Sequence, residues 1–250
     1  MNTAICQFNF SLRGWKVVTN RELSRQDWQL GESHWAKNSH LWQPFAPKLT
    51  FLPPLKRRRL SELARLFFEA AWDLMEEQPN IPVVYASANS EINRNFALWH
   101  SLLTEGDVSP TSFNLSVHNA LVGQWSEMRQ VKAETTAIMA QQDNLEVALL
   151  EAYLLLQEGQ ERVLVVVAES PLAEQYNAEP VVRQSFGYAL ALVVEKGNQY
   201  QLSLHYAEES GDLAEKCSDN ALFWVQQQYL DQSQWQTPSS RGDIWLWQKN

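Results

Sequence analysis

Between Ala137 and Ser170 the chain reads AIMAQQDNLEVALLEAYLLLQEGQERVLVVVAES, and this stretch restricts the fold more than any other. Asn144 is a residue type that caps helices, and Leu145 to Gln157 follow with apolar side chains on nearly every side. A helix with no polar face has to be covered all round. Gly159 then supplies the stop that glycine gives just past a helix. Val163-Leu164-Val165-Val166-Val167 is an unbroken apolar run, the mark of a strand buried on both faces. A short strand at Thr135–Met139, a tight turn, a buried helix and a buried strand together imply a layered α/β fold.

The rest of the chain fits that class. Residues 1–55 show no clean period; Trp15, Trp28, Trp35 and Trp42 are scattered before Pro44, Pro47, Pro53 and Pro54. They read as loops with short strands and helices. Ser61 can cap a helix running to about Gln78, whose Leu63, Leu66, Phe67, Ala70, Ala71 and Leu74 share one face. Pro82–Ala88 reads as a buried strand, Glu91–Leu103 and Ser116–Met128 as helices. Tyr188–Val194 and Tyr200–Tyr206 flank Lys196-Gly197-Asn198, which predicts a hairpin. A helix at Leu213–Leu230 and a strand at Asp243–Gln248 follow. With no repeat or linker, a single domain over residues 1–250 is expected.

Composition excludes several functions. A net charge of −9 argues against general binding to nucleic acid, which needs basic surface to neutralise phosphate. The local exception is Lys56-Arg57-Arg58-Arg59, read either as a solvated helix entry or as a docking patch for an acidic partner. Eleven tryptophans point to a core or an interface, with a carbohydrate-binding surface as the lesser reading. Two distant cysteines, Cys6 and Cys217, make neither a metal spacing nor a disulfide framework, which fits a reducing cytoplasm. No apolar run is long enough to span a bilayer, and the first residues do not read as a secretory leader.

Self-contained catalytic machinery is not legible either. The histidines His34, His40, His100, His118 and His205 have no metal spacing, and no serine lies in a GxSxG elbow. No metal and no cofactor is expected. What remains is the turn before the buried helix, where Gln142 meets the positive end of the helix dipole and its unpaired N–H groups.

Two segments carry a resemblance to a known family. In layout Ala137–Ser170 resembles the nucleophile segment of β-ketoacyl synthases, and the position of their cysteine falls on Gln142. Ser109–Gly123, SPTSFNLSVHNALVG, resembles a second ketosynthase stretch through Ser109, Pro110, Asn119, Ala120 and Gly123. With the helix and strand of residues 61–88, the resemblance covers roughly residues 60–195. It is nearest to the chain-length factors of type II polyketide and aryl polyene synthases, which commonly carry Gln in place of the Cys.

The resemblance implies a thiolase-like α/β/α fold, mainly the N-terminal half of a ketosynthase. It implies a non-catalytic subunit that pairs with an active ketosynthase and shapes its tunnel while acyl chains are elongated on an acyl carrier protein. Thr111, Ser112, Phe113, Leu115, His118, Asn119 and Met139 are then the tunnel and partner residues. The carrier docks mainly on the partner, with Lys56–Arg59 as the contribution this chain has to offer. Two departures bear on chemistry. The second half, with its histidine pair, is missing or much reduced. Asp143, Asn144, Leu145 and Glu146 stand where small residues usually follow the nucleophile, and an anionic Asp143 would repel a malonyl carboxylate. The alternative is a self-sufficient decarboxylase of malonyl-carrier protein using Gln142, whose amide could instead serve only to satisfy the helix end.

Overall fold

In a computed structural model of the chain, residues 4–75, 80–176, 184–207 and 217–250 are described. Among them seven strands form one mixed sheet. These are β1 (Cys6–Thr19), β2 (Val83–Ala86), β3 (Thr135–Ile138), β4 (Arg162–Glu169), β5 (Tyr188–His205), β6 (Gln234–Pro238) and β7 (Ile244–Lys249). The helices are α1 (Arg25–Leu30), α2 (Glu32–Asn38), α3 (Pro54–Arg57), α4 (Glu62–Ala71), α5 (Ile92–Glu105), α6 (Pro110–Asn114), α7 (Ala120–Arg129), α8 (Asn144–Gln157) and α9 (Asn220–Tyr229).

β2 runs parallel to both β3 and β4, which places β3 at one end of the sheet. β5 is antiparallel to its neighbours and twice as useful as an ordinary strand. Its first part pairs with β4 and its second part with β7, while β1 lies along its other side. Alternate residues of β4 face opposite layers, as a strand requires. Val163, Val165 and Val167 pack in the core that holds α8 and α9; Leu164, Val166 and Ala168 pack in the core that holds α4 and α7. The expected α/β/α layering follows directly. On α8, Leu145, Leu149 and Leu156 are buried, each contributing about 2 kcal/mol through loss of apolar surface to water.

Several sequence expectations change. The supposedly irregular N-terminal region contains β1, a long strand; register shifts at Phe10/Ser11 and Leu12/Gly14 break the alternation that would have revealed it. The predicted hairpin at Lys196–Asn198 is instead a bulge within β5: Glu195 pairs with Ser11 and Tyr200 with Phe10, and the strand keeps its direction across the residues between. Gly197 serves close approach there, because any side chain would collide with Ser11 of β1. The helix from Ser61 ends at Ala71 and passes into a 3-10 turn at Asp73–Met75; its predicted end at Gln78 lies outside the described residues. The helix expected from Ser116 begins only at Ala120. β6 was not anticipated, and α9 starts at Asn220, with the predicted start at Leu213 outside the described residues.

The tryptophans are largely core. Trp28, Trp35, Trp125, Trp224, Trp235, Trp245 and Trp247 are buried, and Trp235 stacks on Trp247 at 5.4 Å. Among the described residues only Trp99 is strongly exposed, so a carbohydrate-binding platform of clustered tryptophans is not present there.

Candidate functional site

The end of β3 turns sharply into α8. Met139 and Ala140 follow the strand, Gln141–Asp143 form a 3-10 turn, and Gln141 adopts a left-handed conformation with φ 53°. Asn144 does not cap α8 in the usual way. It is the first helical residue, and its Oδ1 accepts the Ala140 N–H at 2.7 Å, closing the turn from inside.

Gln142 therefore sits at the N-terminus of a long buried helix, as expected. Its amide Nε2 donates to the carbonyl of Cys217, just before α9. One of its N–H groups is thus spent on bracing two helix starts against each other. Asp143 is directed elsewhere than the sequence suggested. Its carboxylate accepts from Ser240 Oγ and, at 3.1 Å, from Trp245 Nε1. It does not line the cavity beside Gln142 and cannot repel a ligand there at short range.

That cavity has a volume of about 540 Å³. Met139, Gln141, Gln142 and Asn144 form one wall, and Ala88 with Asn89 another. Glu169, Tyr188, Asp219 and Gln184 line the remainder with Ser218 and Ala221. The sequence reading missed Glu169, Tyr188 and Asp219. The available signals were a carboxylate ending an apolar strand and an Asp in front of a helix.

These acids do structural work first. Glu169 accepts the Ala88 N–H through Oε1 and the Asn89 N–H through Oε2 at 3.2 Å, fastening the loop after β2 to the end of β4. Burial pushes its carboxyl up to about 8 despite those hydrogen bonds, and the nearby Asp219 adds to the rise. Asp219 caps α9 through the N–H groups of Ala221 and Leu222 at 2.9 and 3.0 Å. It also accepts from the Tyr188 hydroxyl at 2.7 Å, and burial raises its carboxyl too. Among the described lining residues none is basic, so an anion such as a malonyl carboxylate meets acids and no counter-charge. Cys217 supplies no replacement nucleophile, because burial pushes its thiol well up and Sγ donates to Asn220 Oδ1 at 3.3 Å.

The residues predicted for the tunnel and partner divide into groups. Met139 lies at the cavity and is 64% exposed. Thr111, Ser112 and Phe113 lie on α6, with Leu115 just beyond it, and none of the four lines the cavity. Phe113 is exposed. His118 is a tether: its Nε2 donates to the Ser87 carbonyl at 2.9 Å, and its own carbonyl accepts from Ser90 Oγ at 3.1 Å. Asn119 is exposed in front of α7 and makes no side-chain cap. The Ser87 N–H in turn bonds the Ile138 carbonyl. One loop, Ser87–Ser90, thus gathers the start of α5, the segment after α6 and the end of β3.

From that loop α5 and α6 project with no buried residue on either, although α5 carries Trp99, Leu102 and Leu103 and α6 carries Phe113. The basic cluster is half consumed by the fold. Lys56 pairs with Glu127 at 3.4 Å and Arg57 donates to the Lys48 carbonyl, whereas Arg58 and Arg59 are exposed.

The match to known proteins decides the family. Residues 32–248 match the model of the β-ketoacyl synthase N-terminal domain. The chain belongs to that family. Solved structures agree in fold. A ketosynthase in complex with its chain length factor from Xenorhabdus doucetiae is similar at 21% identity and a TM-score of 0.77, covering 97% of this chain and 100% of that one. The ishigamide ketosynthase/chain length factor is similar at 10% identity and a TM-score of 0.64, covering 96% and 98%. A β-ketoacyl synthase from Burkholderia phymatum STM815, at 13% identity and a TM-score of 0.53, is covered over 71% of its length. No curated protein matches the chain. Gln142, on which the sequence resemblance places the nucleophile position, lies in the turn before α8. No described helix is long and apolar enough to cross a membrane.

Proposed function

We propose that this chain is a non-catalytic chain-length factor that pairs with an active β-ketoacyl synthase and shapes its acyl tunnel during carrier-bound elongation. The observation that carries this reading is the apolar surface of α5, α6 and Met139, gathered on one loop with the end of β3. A strand at the end of a sheet has unpaired N–H and C=O groups, and exposed apolar patches mark interfaces. The glutamine at the nucleophile position and the acid-lined cavity support a subunit released from condensation. The similarity to complexes of ketosynthases with chain length factors supports a ketosynthase as the partner. With a net charge of −9, and with Lys56 and Arg57 engaged internally, the acidic carrier docks mainly on that partner.

The reading is tested by product length. In the reconstituted pair, Phe113→Ala is expected to lengthen the products and Ser112→Trp to shorten them, with the partner's cysteine still acylated. One ring added or removed in a packed slot is enough to change which chain fits. An unchanged length distribution from an intact complex would sink the role. Gln142→Ala is expected to leave elongation within about fivefold of the parent, because the lost brace is one hydrogen bond of about 1 kcal/mol. Loss of elongation in an intact pair would instead place the amide in the chemistry and favour decarboxylation at Gln142.

A further inference from the structure

Glu146 lies in the first turn of α8, fully buried, facing α9, β6 and β7. Three donors converge on its Oε1: Thr237 Oγ1 at 2.5 Å, Asn220 Nδ2 at 3.1 Å and Trp247 Nε1 at 3.2 Å. Its Oε2 is buried with no hydrogen-bond partner. The three donors come from three different elements, so this one carboxyl joins α8 to the whole C-terminal part of the fold. Asn220 extends the connection. Its Nδ2 also reaches the Pro238 carbonyl at 2.8 Å, and its Oδ1 accepts from Cys217, whose carbonyl receives Gln142.

No cation is among these partners. The titratable groups that act on it are Asp143 in the preceding turn and the Cys217 thiol before α9; β6 and β7 present Thr237 and Trp247. An ionised Glu146 would share its buried negative charge between Oε1, which three donors reach, and Oε2, which none reaches, with no cation beside it, and that is costly.

We propose that Glu146 is a proton-linked clasp: neutral, it locks the start of α9 onto α8, and ionised, it lets that start lift together with the Ser218–Asp219 wall of the cavity. This does not depend on the identity of the partner. Burial, with a further contribution from Asp143, raises the Glu146 carboxyl to about 7, above the 4.5 of a free side chain. The sign follows. A carboxyl whose folded value is raised contributes fully below about 4.5, loses that contribution as pH climbs to about 7, and changes nothing further above it.

Cys217 reports on the clasp, since it is 6% exposed and bonded to Asn220. In a Cys6→Ser background it is the sole cysteine, and its labelling by 4,4′-dithiodipyridine can be followed from pH 4.5 to 8. Dividing the rate by that of the same protein carrying Glu146→Gln cancels the thiol's own ionisation. The ratio is expected to rise roughly 100-fold between pH 4.5 and 7 and then level off. A ratio independent of pH would overturn the proposal. Should Glu146→Gln not fold, Thr237→Val provides the second arm. It removes a donor from the ionised form, so the rise in Cys217 labelling must move to higher pH, and an unmoved midpoint is the contrary result.

Discussion

Trp99→Asp combined with Phe113→Asp is expected to abolish pairing with the ketosynthase while leaving the subunit folded. Both rings are exposed, at 57% and 61%, so neither substitution disturbs a core. Aromatic anchors at the centre of an interface commonly cost at least about 2 kcal/mol each when lost, and a charge in their place adds a desolvation penalty. Affinity should fall on the order of 1000-fold. Co-purification and sedimentation of the mixed subunits read the result, with thermal unfolding of the isolated variant as the control. A stable pair formed by a well-folded double variant would move the interface elsewhere on the molecule. The isolated parent chain, with its apolar helices uncovered, is in turn expected to self-associate, and the double variant to do so less.

Glu169→Ala is the change expected to damage the fold most for its size. It takes the acceptor from the partly buried N–H groups of Ala88 and Asn89, and donors left unsatisfied away from water cost about 1–3 kcal/mol each. Urea unfolding at pH 5.5 should show a loss of about 3 kcal/mol. The loss carries a pH signature. Burial raises the Glu169 carboxyl to about 8 from 4.5, so its contribution is complete below about 4.5 and is lost as pH climbs to about 8. Each unit of displacement is worth about 1.4 kcal/mol, so the parent should be several kcal/mol less stable at pH 8.5 than at pH 5. The gap between parent and Glu169→Ala should narrow over the same interval. A gap that widens with pH would mean that Glu169 is ionised throughout, and that its backbone hydrogen bonds outweigh its burial.

The layered core was legible because its signals are local. An apolar run such as Val163–Val167 and a helix such as α8, lacking a polar face, each permit few environments. Gln142 at the start of that helix could be placed from the same pattern. The directions of side chains could not. Asp143 and Glu146 look alike in sequence, yet one serves Ser240 and Trp245 and the other Thr237, Asn220 and Trp247, all about a hundred residues or fewer downstream. The lining acids Glu169 and Asp219 meet only because β4 and the start of α9 end at one cavity, which no spacing encodes. β1 and β5 were misread for a related reason. A bulge hides the period of the first, and in the second Gly197 imitates a turn while making room for a neighbouring strand.

The pairing of β1 with β5 sets a timetable for synthesis. Cys6 meets Leu204 and Thr19 meets Tyr188, so nearly the whole interval from residue 20 to 187 must be translated before β1 finds its first partner. At ~5–20 residues per second the ribosome takes roughly ten to forty seconds to cover it. During that time a strand containing Phe8, Phe10 and Trp15 waits unpaired, long past the time in which hairpins and helices form. The nascent chain therefore passes through a stage in which its earliest strand needs shelter, and a slowed ribosome lengthens that exposure in direct proportion.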